Sequence, residues 1–469
     1  MIERVVRALI ALASASLLTA CAGPGALTPG DPIRAAFVVL GEGGSSLVRV
    51  ITTDPACPPL DVDRTTLVMA IRAVPETMPL RPTTSQPAES KPSTFPVLVC
   101  ERVLPAGAMR ASVGGHTLPL LHRDARRIVV IGDTGCRVQG NGDAIQACND
   151  AAAWPFARVA AAAAAMKPDL VIHVGDYHYR ENACPDPNPG CRRSPWGYGW
   201  DTWDADFFSP AHSLLSAAPW VFVRGNHESC ARAGQGWWRF LDPRPLASGR
   251  DCNDPANDFR GDYSDPYAVP LSADTQLIVF DSSRAGVAPL RADDPVYAIY
   301  SRQTLRALEF AHGAAHNFFV DHHPILGFAA DTSRPHGVYP GNAALQSVLP
   351  PRNGAQLFPA GIDALLAGHN HLFEAVDFAT GQPPQFISGN GGTQLDEPLP
   401  RPLPPDASVA RGAVVAKITS AATFGFIILL RDAGTAAPWR VEARDRDGRL
   451  LTRCLLHERR TTCIPEDLQ

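Results

Sequence analysis

Apolar positions in the first part of the chain fall into short stretches, at residues 35–40, 47–51, 66–71 and 96–99, separated by turns rich in Pro, Gly and Thr. Short apolar runs bounded by turn residues predict β-strands, so residues 21–122 read as a small β-sandwich-like N-terminal domain. Inside it, residues 75–96 are rich in Pro, Thr and Ser with few apolar anchors, which predicts a long exposed loop. After residues 122–127 the pattern changes to strand, loop, helix, strand. The β-branched run 128–131 ends at Gly132-Asp133-Thr134-Gly135, and an Ala-rich helix is expected at 151–166, stopped by Lys167-Pro168. The run 170–174 leads straight into Gly175-Asp176. Further strands are predicted at 220–223, 277–280, 318–320, 364–367, 386–388 and 424–430, most of them ending at a polar cluster. Late in the chain, 441–446 and 449–456 flank Asp447-Gly448, a hairpin turn. In sheets fed by helices, loops at the carboxyl ends of strands converge on ligands, so these polar strand ends direct the search for chemistry.

Composition, charge, the N-terminal segment and the cysteines each change this picture. With 45% hydrophobic and 19% charged residues over 469 positions, the chain is globular rather than disordered. A formal net charge of -5 excludes a protein that binds nucleic acid through a general excess of Lys and Arg. The N-terminus carries Arg4 and Arg7 ahead of an uncharged, mostly apolar run at 8–20, too short to cross a bilayer, which is signal-peptide anatomy for residues 1–20. Its end, Leu18-Thr19-Ala20-Cys21, resembles the lipobox of bacterial lipoproteins, which implies a lipid on Cys21 and a cell-envelope location facing the periplasm or the surface; a soluble exported protein cut near Ala20 is the other reading. Of the 11 cysteines, removal of Cys21 leaves an even number in a compartment where disulfides persist. Spacing suggests the pairs Cys136 with Cys148, Cys184 with Cys191, Cys230 with Cys252 and Cys454 with Cys463, leaving Cys57 and Cys100. The absence of a C-x-x-C pair excludes a zinc-ribbon or thioredoxin-type reading.

Five strand ends deliver Asp133; Asp176 with Tyr179; Asn226-His227-Glu228; His322-His323; and His369 with His371. Each alone has an ordinary structural explanation, a turn, a helix cap or a buried His. Together they exceed the needs of one four-coordinate ion and suit two ions sharing a bridging carboxylate, an arrangement that clamps a phosphoryl group and supplies hydroxide.

The ordered set Gly132-Asp133-Thr134-Gly135, Gly175-Asp176-Tyr177-His178-Tyr179, Gly225-Asn226-His227-Glu228, His322-His323-Pro324 and Gly368-His369-Asn370-His371 resembles the calcineurin-like metallophosphoesterase superfamily, and within it the purple acid phosphatase branch. The wider superfamily has His where Gly135 stands, whereas the purple acid phosphatases have Gly there and a Tyr at the place of Tyr179. The resemblance spans about residues 127–430. It implies an α/β fold, the four-layer α/β/β/α sandwich of these enzymes, over residues 123–469. It also implies one metal site from Asp133, Asp176, Tyr179 and His371 and another from Asp176, Asn226, His322 and His369. Phenolate and carboxylates favour trivalent iron in the first, and Asn with His suits divalent Fe, Zn or Mn in the second. His227 is then the proton donor to the leaving alkoxide.

Other residues have weaker assignments. His322 rather than His323 fits the family's ligand position, leaving His323 to line the pocket or to serve structure. Arg180 and Arg224 flank the metal motifs and are candidates for phosphate contacts, with a loop ion pair as the alternative; His336 is a further candidate substrate contact. Glu228 is expected to support His227 or nearby backbone, and the Trp residues at 196–203 and 237–238 to pack an insertion. The expectation is a dinuclear-metal hydrolase of phosphomonoesters; a phosphodiesterase or nucleotide hydrolase on the same site, and a non-catalytic envelope binding protein with structural metals, are the alternatives.

Overall fold

The computed structural model describes residues 30–82, 86–121, 124–139, 145–333, 337–350, 356–432 and 437–465. The signal-peptide stretch, Cys21 and His336 lie outside the described residues. The N-terminal region supplies β1 (Ile33–Leu40), β2 (Ser46–Thr52), β3 (Ala70–Ala73) and β4 (Leu98–Val103). Next come β5 (Arg127–Ile131), helix α1 (Phe156–Ala165), β6 (Leu170–His173) and β7 (Trp220–Phe222). A second group holds β8 (Tyr267–Pro270), β9 (Thr275–Val279), helix α2 (Pro295–Phe310), β10 (His316–Val320), β11 (Ile362–Ala367), β12 (Phe373–Phe378), β13 (Gln385–Ser388) and β14 (Val415–Ala421). The chain ends with β15 (Gly425–Arg431), β16 (Trp439–Asp445), β17 (Leu450–His457) and β18 (Arg460–Pro465).

Two sheets pack face to face. The first has 11 strands in the order β18-β17-β16-β15-β5-β6-β7-β1-β2-β4-β3; the second has 7, in the order β8-β9-β10-β11-β13-β12-β14. The central strands read as continuous apolar runs because both of their faces are buried. Val130, Ile172 and Val221 face Leu277, Phe318 and Ala364 across the space between the sheets. Their neighbours Val129 and Val171 pack outward on Val159 and Ala163 of α1, and Ile278, Phe319 and Leu365 pack outward on Tyr300 and Ala307 of α2. The result is the expected α/β/β/α sandwich. Helix α1 is shorter than its Ala-rich segment because Pro155 disfavours helical geometry at Trp154, so residues 151–153 form turns instead.

The N-terminal region is β-rich, as its pattern predicts, yet its hydrogen bonding continues the first sheet across the boundary expected near residue 122. Strand β1 pairs in parallel with β7 through Val39 and Trp220. A small four-stranded sheet containing Leu60–Val62 and Ala111–Val113 packs on the same core, which gives the region its sandwich-like form. Five disulfides join Cys57 to Cys100, Cys136 to Cys148, Cys184 to Cys191, Cys230 to Cys252 and Cys454 to Cys463, the pairing that spacing suggests. Among the described residues no helix is long and apolar enough to cross a membrane.

Candidate metal centre

Register brings the polar strand ends to one level. In the first sheet Ile131 stands opposite His173, and His173 opposite Phe222, so the loops carrying Asp133, Asp176 and Asn226 leave together. In the second, Val279, Val320 and Leu366 are aligned, and the loops carrying His322 and His369 start just beyond. The backbone at Asp133, Asp176 and His369 lies in the left-handed region, with φ of 55°, 58° and 69°. Such conformations are costly for residues with a Cβ and persist where surrounding structure enforces them. Close approach also needs small residues: a Cβ on Gly225 would lie 2.1 Å from Asp176 Oδ1, and one on Gly389 would lie 2.1 Å from the Asn370 carbonyl.

Two groups of acceptors meet at Asp176. Around the Tyr179 hydroxyl, Asp176 Oδ2 lies at 2.9 Å and Asp133 Oδ1 and His371 Nε2 each at 3.0 Å. His371 directs Nδ1 at the Gln394 carbonyl (2.8 Å), which orients the ring so that Nε2 faces inward toward Tyr179 and Asp133. One hydroxyl hydrogen cannot serve both carboxylates at once, and a cation among these four oxygens and nitrogens would satisfy them together. In the second group, His322 Nδ1 faces the Val174 carbonyl at 2.8 Å, leaving Nε2 3.0 Å from Asn226 Oδ1, 3.2 Å from Asp176 Oδ2 and 3.3 Å from His369 Nδ1. Asn226 Oδ1 is also 3.1 Å from His369 Nδ1. The donor chemistry therefore fits two ions sharing Asp176. Asp133, Asp176 and His322 are grouped within 4.8 Å of one another, as are His322, His323 and His369.

Charge in this buried cluster is strongly perturbed. Burial raises the Asp133 carboxyl above its ordinary value; burial opposes ionisation of Asp176 too, but His322, His227 and Arg232 together outweigh it and the net shift is downward. Burial lowers His322, yet Asp176 beside it prevails and its pKa is pushed up to about 10. His369 is held down to about 3 by burial and by His322.

His227 is placed by its neighbours. Its backbone N–H donates to Asp176 Oδ1 (2.9 Å), and its Nδ1 is 3.2 Å from Glu181 Oε1. Arg232 donates from Nε to the same Glu181 oxygen (2.5 Å), and its Nη2 lies 2.7 and 2.8 Å from the two ring nitrogens of His227. Burial, then Arg232, lowers the His227 pKa to about 4, with Asp176 and Glu181 acting in the opposite sense. Glu228 supports backbone: its carboxylate accepts from the N–H groups of Asp176, Tyr177, His178 and Gly225 at 2.8–3.3 Å.

An open cleft of about 500 Å³ exposes this cluster, lined by Asp176, Tyr179, His227, His369 and His371 together with Arg137 and Arg232. The structure does not bring Arg180 or Arg224 into it. Arg180 donates to Asp206 Oδ1 (2.6 Å) and stacks on Trp154, while Arg224 donates to the carbonyls of Glu228 and Gly261 beside Asp262 and Asp281; both are ion-paired and buried. His323 is buried against His369, with Nδ1 3.2 Å from Ser282 Oγ. Trp200, Trp203, Trp237 and Trp238 pack in the core on the helix side of the first sheet rather than lining the cleft. Sequence reasoning missed Glu181, Arg137 and Arg232. Their signal was a charge close to a metal motif, five residues after Asp176, four after Asp133 and five after His227, which Arg180 and Arg224 share.

The family model for calcineurin-like phosphoesterases matches residues 126–373. Among solved structures, a purple acid phosphatase PPD1 from yellow lupin (Lupinus luteus) seeds is similar with a TM-score of 0.52 and 13% identity, covering 92% of this chain and 74% of that one. A structure of PhoD is similar with a TM-score of 0.53 and 10% identity, covering 94% of each chain. At such identities the likeness is one of fold. No curated protein sequence matches the chain.

Proposed function

Because the chain belongs to the calcineurin-like phosphoesterase family, we propose that it hydrolyses phosphomonoesters at a dinuclear metal centre, as an exported protein held at the cell envelope by a lipid on Cys21. The observation that carries the reading is the meeting of two acceptor groups at Asp176, with His227 at the same cleft. Asp133, Asp176, Tyr179 and His371 would hold one ion, a hard anionic set suited to trivalent iron; Asp176, Asn226, His322 and His369 would hold a divalent Fe, Zn or Mn. When bound, two such ions polarise a phosphoryl group and lower the pKa of water.

The protein's own groups do the rest. His227 gives a proton to the leaving alkoxide, and Glu181, facing its Nδ1, sets the ring's orientation. Arg232 holds Glu181 in place. Burial and Arg232 keep the free imidazole neutral, and the negative charge of an arriving phosphate raises its pKa toward the protonated form the role requires. A structural metal site has no use for such a proton donor, which favours an enzyme over a binding protein.

The test is a kinetic comparison of p-nitrophenyl phosphate with bis-p-nitrophenyl phosphate. We expect higher kcat/KM for the monoester, and a fall in kcat of about 10²–10⁴-fold in His227→Ala, larger for alkyl than for nitrophenyl leaving groups. Preference for the diester would replace the monoesterase reading, and unchanged kcat in His227→Ala would remove the proton-donor role. Five disulfides accord with an oxidising compartment. The anchor is tested by Cys21→Ser, which should move the protein from the membrane to the soluble fraction; retention on membranes would count against it.

A further inference from the structure

The two arginines of the cleft differ in their partners. Arg232 is neutralised by Glu181, its Nε 2.5 Å from the carboxylate, and its Nη2 is engaged by the His227 ring. Arg137 makes no ion pair among the described residues: its guanidinium donates to Gln139 Oε1 at 3.2 and 3.1 Å, and its charge is otherwise unspent beside Tyr179 and His371. An arginine without an ion pair at such a cleft is a ready partner for an anionic oxygen.

Arg137 is also presented rigidly. Its backbone N–H donates to Gln146 Oε1 (3.0 Å), its carbonyl accepts from Gln146 N–H (2.7 Å), and Gln146 is tied in turn to the Gly392 carbonyl at 2.9 Å. The next residue, Val138, donates to the Tyr179 carbonyl (3.0 Å), and the preceding one is bound in the Cys136 to Cys148 disulfide. The segment is therefore locked to the loop of a metal donor on one side and cross-linked on the other. Preorganisation of the backbone lowers the ordering cost of an arginine contact.

Two ions held by Asp133, Asp176, Tyr179, His371, Asn226, His322 and His369 would polarise the phosphoryl group of a bound ester. A monoester dianion has a third charged, unesterified oxygen, whereas in a diester that position carries a second alcohol group. We infer that Arg137 binds this third oxygen and thereby makes the cleft select phosphomonoesters over phosphodiesters. The inference rests on the hydrolase reading given above. Arg137 is a specificity residue in this account, since proton transfer is left to His227.

The experiment uses the metal-containing protein and its Arg137→Ala and Arg137→Lys variants. Binding of inorganic phosphate is measured by calorimetry, and kcat/KM is measured for p-nitrophenyl phosphate and bis-p-nitrophenyl phosphate. In Arg137→Ala, phosphate affinity and monoester kcat/KM should each fall by about tenfold or more, while diester kcat/KM stays within about twofold. Arg137→Lys, which keeps the charge without the fork, should recover part of both losses. Unchanged phosphate affinity in Arg137→Ala, or equal losses for the two esters, would overturn the inference. Hydrolysis of neither ester by the wild type, with phosphate binding still dependent on Arg137, would instead contradict the hydrolase reading and leave the anion contact standing.

Discussion

Tyr179 is the residue on which the identity of the first ion turns. Its hydroxyl is buried and lies within 3.0 Å of donors from three separate loops, at Asp133, Asp176 and His371. Burial and the two carboxylates hold the free phenol well above its ordinary pKa, so only a strongly polarising cation makes it a phenolate ligand. The iron-containing protein should therefore be coloured by a phenolate-to-iron charge-transfer band, and Tyr179→Phe should lose the band while keeping its fold by circular dichroism. A colourless protein with only divalent ions would remove iron from the account. At this scale the clustering of Asp133, Asp176, Tyr179, Asn226, His322, His369 and His371 was legible because each stands in a short motif at a strand end. The arginines were not, since those at 137, 180, 224 and 232 all lie near a motif and only the fold decides which meet an aspartate. Asp206 takes Arg180 out of the cleft, and nothing near residue 180 in sequence announces it.

Among elements, strands buried on both faces were easiest to read, because residues 128–131, 170–172 and 220–222 are continuous apolar runs. Strand β12 was not foreseen: its sequence Phe-Glu-Ala-Val-Asp-Phe places Glu374 and Asp377 in the interior, against any hydrophobic pattern. Glu374 accepts from the Phe328 N–H (3.0 Å), and its other oxygen has no hydrogen-bond partner among the described residues; burial pushes its pKa up to about 8 from an ordinary 4.5. The folded state then binds a proton that the unfolded state releases between these values. Stability is highest below pH 4.5 for this group and declines as pH rises toward 8. Glu374→Gln should abolish that decline and exceed the wild type by on the order of a few kcal/mol above pH 8, as read by urea unfolding at pH 5 and pH 8.5. The same pH dependence in both proteins would show that Glu374 is ionised in the fold.

In the whole molecule, the N-terminal β region and the metal-bearing region share one sheet. A chain read in order shows residues 33–40 as the start of a separate unit, because the partner of Val39 is Trp220, far along the sequence. The joint is reinforced from inside: Arg49 donates to the Phe240 and Asp242 carbonyls, and Arg72 to those of Trp238, Arg239 and Arg244, while both meet Glu101. These buried cations fasten the β region to the segment that follows the His227 motif, so the metal loops stand on a frame built from both ends of the chain. That frame delivers two groups of candidate ligands to one shared carboxylate, Asp176, where two ions are proposed to make a phosphomonoesterase. The direct measurement is hydrolysis of p-nitrophenyl phosphate by protein stripped of metal and titrated with iron and zinc. The expected result is no activity without ions and a rise that reaches its plateau at two equivalents per chain; a plateau at one equivalent, or no hydrolysis at two, would contradict a dinuclear phosphomonoesterase.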